Sequence, residues 1–335
     1  MDIRKVQITG GSSFVITLPK EWAEKQGVKK NDPLGLVAQP DGTLLVTRDL
    51  SETPSQRTKT FDVTSINDPT FLFRLLIGSY IAGYTTIGVT SKTRLPASIR
   101  MVVRDFSQMT IGPEVVEETD TTILLKDLLN PAEMPFENTI RRMYVIVKNM
   151  YMDALSVLET GNAALARDVV ARDNDVDRLH WLVARQTNII LKNASLSRKM
   201  GVASSAVVNT YLISRIIERI GDHAVRFVEE AGRLPGGRID PAAIESIRNA
   251  TTHAMTIFDR SIFSFFKADI RESHANIEQV KALEEECKVI FSHSLEENPE
   301  IAVPLRNIVA SIRRAGEYAG DISENVINML VEDRI

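Results

Sequence analysis

The chain of 335 residues contains a single cysteine, Cys287. One thiol cannot close an internal disulfide, so no disulfide framework holds the fold, and a reducing, cytoplasmic setting is expected. Within an apolar helical stretch it reads as a packing residue. Long apolar runs are missing as well. No stretch approaches the ~20 residues of a membrane span, and the opening MDIRKVQITGG lacks the apolar core of a signal peptide, so no membrane insertion is expected. Nor is there an excess of one charge: 40 Lys and Arg face 44 Asp and Glu, a net of −4. That excludes a basic nucleic-acid coat and leaves DNA contact to a local patch. The middle of the chain has no phosphate-cradling glycine loop and no nucleophile elbow, and the helical half has no Glu-x-x-His pair. A non-enzymatic protein is expected.

What is present falls into three regions. In residues 1–50, KVQITGG alternates Val6 and Ile8, and SFVITL alternates Phe14, Ile16 and Leu18. A period of two with Gly10–Gly11 between predicts a strand pair. PKEWAEKQG predicts a short helix from Pro19 to a cap at Gly27, and LGLVA and TLLVT predict a second hairpin around Asp41–Gly42. Such a segment is too short to bury a good core alone, so a partner is expected. LSETPSQRTKT, residues 50–60, reads as a linker. Residues 61–130 alternate helices and strands, an α/β module suited to linking domains or forming a dimer. From residue 131 the periodicity is helical, with breaks near Gly161, Gly201, LPGGRIDP and ENPE. This gives roughly six helices in two sets of three, residues 135–233 and 238–332, the second an internal repeat of the first.

Each set ends in a helix with a glycine followed by an acid: ERIGDHA at 218–224 and RRAGEYA at 313–319. In the first set Asp173 and Asp177 are four apart, as are Glu218 and Asp222. Each pair shares a helix face, where like charges repel by a few tenths of a kcal/mol. Four carboxylates converging from neighbouring helices call for a cation, and hard divalent or trivalent ions with oxygen ligands fit. The bland alternative is a pair of solvated acidic faces. In the second set Arg313 replaces Glu218, and a new pair, Glu317 and Asp321, appears. Glu278, Glu284 and Glu285 do not reproduce Asp173 and Asp177. His180 and His223 are expected at the surface or supporting the acids.

ARDNDVDRL, ISRIIERIGDHA and SIRRAGEYAGDISENV resemble the PhoU family of phosphate-signalling proteins. RKVQITGGSSFVITLPKEW and GVKKNDPLGLV resemble the AbrB/SpoVT, MazE-like swapped-hairpin domain, a fusion similar to archaeal PhoU-like regulators. The resemblance implies a multidomain chain: a small all-β swapped-hairpin domain, the α/β middle module and all-α tandem three-helix bundles. It implies a homodimer that binds double-stranded DNA, with Arg4, Lys5, Ser12, Ser13 and Lys20 on the contact face and Lys25, Lys29 and Lys30 turned to solvent. It also implies metal ions on Asp173, Asp177, Glu218, Asp222, Glu317 and Asp321, with iron, zinc, magnesium and manganese all open. The function implied is transcriptional regulation of phosphate uptake. The alternative is an adaptor for a phosphate ABC transporter ATPase that does not bind DNA.

Overall fold

A computed structural model describes residues 2–38, 42–48, 56–66, 68–130, 133–193, 204–234, 239–293 and 298–334. The chain forms two compact units. The first, residues 1–55, pairs β1 (Gln7–Thr9) with β2 (Ser13–Val15) antiparallel, Thr9 opposite Ser13, through a turn in which Gly10 and Gly11 both take positive φ. Helix α1 (Lys20–Lys25) follows Pro19, and β3 (Gly35–Ala38) pairs with β4 (Leu44–Thr47). Asp41 of the expected hairpin turn lies outside the described residues. Among the described residues of this unit Val37 alone is buried. Ile8 and Phe14, which should fill a core, are 67% and 75% exposed.

The second unit begins with β5 (Thr58–Asp62), α2 (Pro69–Ile81), β6 (Thr86–Thr90), α3 (Ala97–Gln108), β7 (Pro113–Glu118) and β8 (Thr122–Asp127). The sheet order is β5-β6-β8-β7, with β5 parallel to β6 and the other pairs antiparallel. Strand β5 corrects the reading of residues 50–60 as linker. TKTFD is polar because it is an edge strand with one half-buried residue, Phe61, so burial leaves little mark on its sequence. Asp68 caps α2 by accepting from Thr70 N at 2.9 Å, with Pro69 in the first turn. Leu72, Leu76, Tyr80, Val89, Val103 and Phe106 close a core between helices and sheet.

Among the described residues six helices follow: α4 (Phe136–Thr160), α5 (Ala163–Lys192), α6 (Ser204–Ala231), α7 (Pro241–Lys267), α8 (Ile270–His293) and α9 (Pro299–Arg334). Gly161 ends α4 in the left-handed region, and Asn162 caps α5. The α7–α8 break carries no glycine. Ala268 takes φ +52°, and Asp269 then accepts from Glu272 N at 3.0 Å. One continuous core runs through both sets of three, from Ile140 and Val147 through Ile217 and Phe227 to Phe258, Ile312 and Ile322. Helix α9 packs on α6, α7 and α8, while α6 packs on α4 and α5. Asp259 of α7 accepts from Tyr144 and Lys148 of α4 at 2.9 and 2.6 Å, tying the sets together.

The α/β module docks on the C-terminal half of α5. Arg185, almost fully buried, donates to Tyr80 O and to the carboxylate of Asp127 at the end of β8. Gln186 Nε2 donates to Met134 O at 2.7 Å, and Trp181 meets Phe73 edge-on at 6.4 Å. Helix α5 thus has two jobs: its second half holds the module and its first half carries Asp173 and Asp177.

Candidate cation site and nucleic-acid face

Asp173 and Asp177 lie a turn apart on α5, and Glu218 and Asp222 a turn apart on α6. The two helices pack directly, and Gly221 permits the approach: a Cβ placed there would lie 3.3 Å from Asp173 Oδ1 and 3.4 Å from Val147 Cγ2. The structure therefore gathers the four carboxylates of the first repeat on adjoining helices, as the spacing suggested. Burial first, then the charges of Asp177 and Asp222, push Asp173 up to about 7. Burial, then Asp222, pushes Asp177 up to about 6. Glu218 rises to about 7 for the same two reasons, against the pull of Arg215. Burial raises Asp222 too, although Arg226, Arg215 and Arg219 restrain it.

Carboxylate oxygens are the donors that a hard cation takes. Asp173 Oδ1 and Glu218 Oε2 are buried without a hydrogen-bond partner, an unfavourable state for oxygens that carry charge. Among the described residues, however, no three His, Cys, Asp or Glu side chains are placed so that they could hold a metal ion together. One cation of the chain is in contact with the cluster: Arg215 donates to Glu218 Oε1 at 2.8 Å. Sequence reasoning missed this arginine and its companions Arg219 and Arg226. The signal was legible, since the three recur along α6 at helical spacing beside the two acids.

The histidines correct the expectation of a surface position. His180 is buried, stacked on Tyr211, with its Nδ1 3.0 Å from Ser214 Oγ. His223 is buried against Tyr318 of α9, ring centroids 5.8 Å apart, its Nδ1 without a partner. Burial first, then nearby arginines, lowers both to about 4, so both are neutral at pH 7.

The second repeat is different. Glu317 accepts from Arg314 Nη1 at 2.6 Å and lies 3.5 Å from Arg313 Nη1, which stands where the first repeat has Glu218. Asp321 lies on the next turn at the surface, and the partial desolvation of its carboxyl, then Glu324, raises its pKa. Glu278 pairs with Lys281 at 3.0 Å and Glu285 with Lys288 at 2.6 Å. Cations supplied by the chain already answer Glu317, whereas Asp173 Oδ1 and Glu218 Oε2 of the first repeat have no hydrogen-bond partner.

In the first unit Arg4 and Lys5 precede β1, Ser12 occupies the turn, Ser13 opens β2 and Lys20 opens α1, and all five are exposed. Two have weak tethers: Arg4 Nη2 lies 3.5 Å from Asp2, and Lys20 Nζ lies 3.7 Å from Glu24.

Fold and site together define a two-repeat helical-bundle protein with an acidic cluster in its first repeat and a separate hairpin unit at its N-terminal end. The PhoU domain model matches residues 140–231, and the model for the antidote-toxin recognition protein MazE, a bacterial antitoxin, matches residues 7–55. The helical half is therefore similar to the PhoU domain and the N-terminal region to MazE, and the resemblance drawn from the motifs is borne out. The chain is 20% identical over 198 residues to the phosphate-specific transport system accessory protein PhoU homolog 1 of Thermotoga maritima, covering 57% of this chain and 84% of that protein. Two solved structures share the fold. The PhoU regulatory protein of Streptococcus pneumoniae has TM-score 0.51 at 13% identity, covering 60% of this chain and 95% of its own. PhoU of Pseudomonas aeruginosa has TM-score 0.52 at 19% identity, covering 59% and 96%. Among the described residues no helix is long and apolar enough to cross a membrane.

Proposed function

We propose that this protein is a cytoplasmic, DNA-binding regulator of phosphate uptake and not an enzyme. Two chains interleave their hairpin units into a homodimer that meets double-stranded DNA, and the acidic cluster of the first repeat holds a metal ion that reports on cellular state. The observation that carries the reading is the condition of the hairpin unit. It resembles MazE over residues 7–55, buries Val37 alone among its described residues, and leaves Ile8, Phe14 and Leu36 to solvent beside exposed Arg4 and Lys5. A unit without a core gains one by pairing with a second copy. Asp173, Asp177, Glu218 and Asp222 would hold the ion, and a bound cation supplies the charge that their burial otherwise leaves unanswered. Glu317, already paired with Arg313 and Arg314, and Asp321 join the proposal only as the counterpart in the second repeat.

Binding of the full chain to promoter DNA, followed by gel shift across salt concentrations, tests this. Arg4→Ala should weaken binding across sequences and lower the slope of log K against log salt by about 1 per lost phosphate contact. Binding unchanged after removal of residues 1–50 would end the DNA reading. A second reading follows from the Thermotoga relative's name as a transport-system accessory protein. In it the chain is an adaptor for a phosphate ABC transporter ATPase. Co-purification with such an ATPase, together with no DNA shift, favours that outcome.

A further inference from the structure

A cavity of about 600 Å³ opens where α3, the following turn and β7 face α5. Arg104 of α3 and Arg178 of α5 line it, with Gln108 and Glu114. Neither guanidinium is well answered by the protein. Arg104 Nη2 lies 3.9 Å from Glu118, and Arg178 Nη1 lies 3.7 Å from Asp175, both beyond hydrogen-bond range. Arg178 Nε is buried with no hydrogen-bond partner. A guanidinium offers five donors in a rigid fork that matches phosphate oxygens. Two of them, from two elements, leave most of ten donors unassigned.

The remaining wall has a different chemistry. Ser107 and Thr110 also line the cavity, but their hydroxyl protons are committed, Ser107 Oγ to Pro113 O at 2.9 Å and Thr110 Oγ1 to Phe106 O at 2.7 Å. What they present is lone pairs, and the Glu114 carboxylate is an acceptor too. Acceptors suit a ligand rich in hydroxyl donors and repel a bare anion. The volume lies in the range of sites for whole metabolites, larger than one phosphate group requires. We propose that this cavity binds a nucleoside phosphate, its phosphoryl group on Arg104 and Arg178 and its sugar hydroxyls on Glu114 and the two hydroxyl oxygens. Arg178 directly follows Asp177 on α5, so occupancy of this cavity and the state of the acidic cluster act on one helix.

Isothermal titration calorimetry of the full chain with AMP, ADP, ATP, adenosine and inorganic phosphate tests the proposal. At least one nucleotide should bind, with adenosine and inorganic phosphate each about tenfold weaker or more. Arg104→Gln and Arg178→Gln should each weaken the nucleotide about tenfold, the loss expected for one charged hydrogen bond. Arg141→Gln, in a separate groove beside Phe266, should change nothing. No heat from any nucleotide overturns the proposal. Equal binding of adenosine removes the phosphate contact, and equal binding of inorganic phosphate removes the sugar contact. Should Arg178→Gln fail to fold, Arg104→Gln decides, since that side chain is 65% exposed and its replacement leaves the packing intact.

Discussion

Asp173 concentrates the physical tension of the acidic cluster. Its Oδ1 is buried and unpartnered, and burial with two neighbouring carboxylates raises its pKa to about 7. Between pH 4 and 7 the folded chain therefore binds more protons at this site than the unfolded chain. Linkage makes the contribution favourable below pH 4, and it is lost as pH rises through 7. His180 and His223 work in the opposite direction, because lowered values favour folding at higher pH. A comparison of Asp173→Asn with the wild-type protein cancels the histidines. In chelator at pH 8, Asp173→Asn should melt above the wild type, and near pH 4 the difference should vanish. With excess divalent metal the order at pH 8 should reverse, as the wild type gains bound ion. Thermal melts under the three conditions check this, and a variant melting below wild type in chelator at pH 8 would deny the repulsion.

At the scale of elements, the repeated glycine–acid motif has a packing explanation that stands apart from any metal. Gly221 faces Asp173 and Val147, while Gly316 faces Leu283, whose Cδ2 would lie 2.1 Å from an added Cβ. Each glycine lets the third helix of its set settle against the earlier helices. The offset that relates the two glycines also relates His223 to Tyr318, and those two rings meet between α6 and α9. Equivalent positions of the repeats therefore face one another where the sets join. Gly221→Val should force α6 from α4 and α5 and lower stability by about 1–3 kcal/mol. Urea denaturation of the metal-free protein measures this, and an unchanged midpoint would show that the helices part without cost. The same scale shows what went unread. The α7–α8 break had a signal in Asp269 followed three residues later by Glu272, but without glycine or proline it was missed. Strand β5 had almost none, because an exposed edge strand need not alternate.

For the whole molecule, the hairpin unit and the helical unit solve the problem of burial differently. The helical unit closes its own core across both repeats. The hairpin unit leaves Phe14, Ile16 and Leu36 exposed in a single chain. At ~25 cal/mol per Å² of apolar surface, covering such residues provides a strong drive to associate. Sedimentation of the full chain should show a dimer, and Phe14→Asp should shift it towards monomer while leaving the thermal transition of the helical unit in place. A wild-type monomer at micromolar concentration would remove the basis for a paired DNA-binding surface.

The amino-acid sequence by itself determined the two hairpins, the first set of three helices, the helical character of the second set, and the spacing that puts Asp173 with Asp177 and Glu218 with Asp222 on shared faces. These are local properties, set by periods of 2 and 3.6 and by turn and cap chemistry. Only the tertiary structure decided that Gly221 brings Asp173 against α6, that Arg313 and Arg314 answer Glu317, that the histidines are buried, and that α5 joins the α/β module to the acidic cluster. Each depends on which helix faces which across long separations in the chain, and periodicity within one helix carries no record of its neighbour.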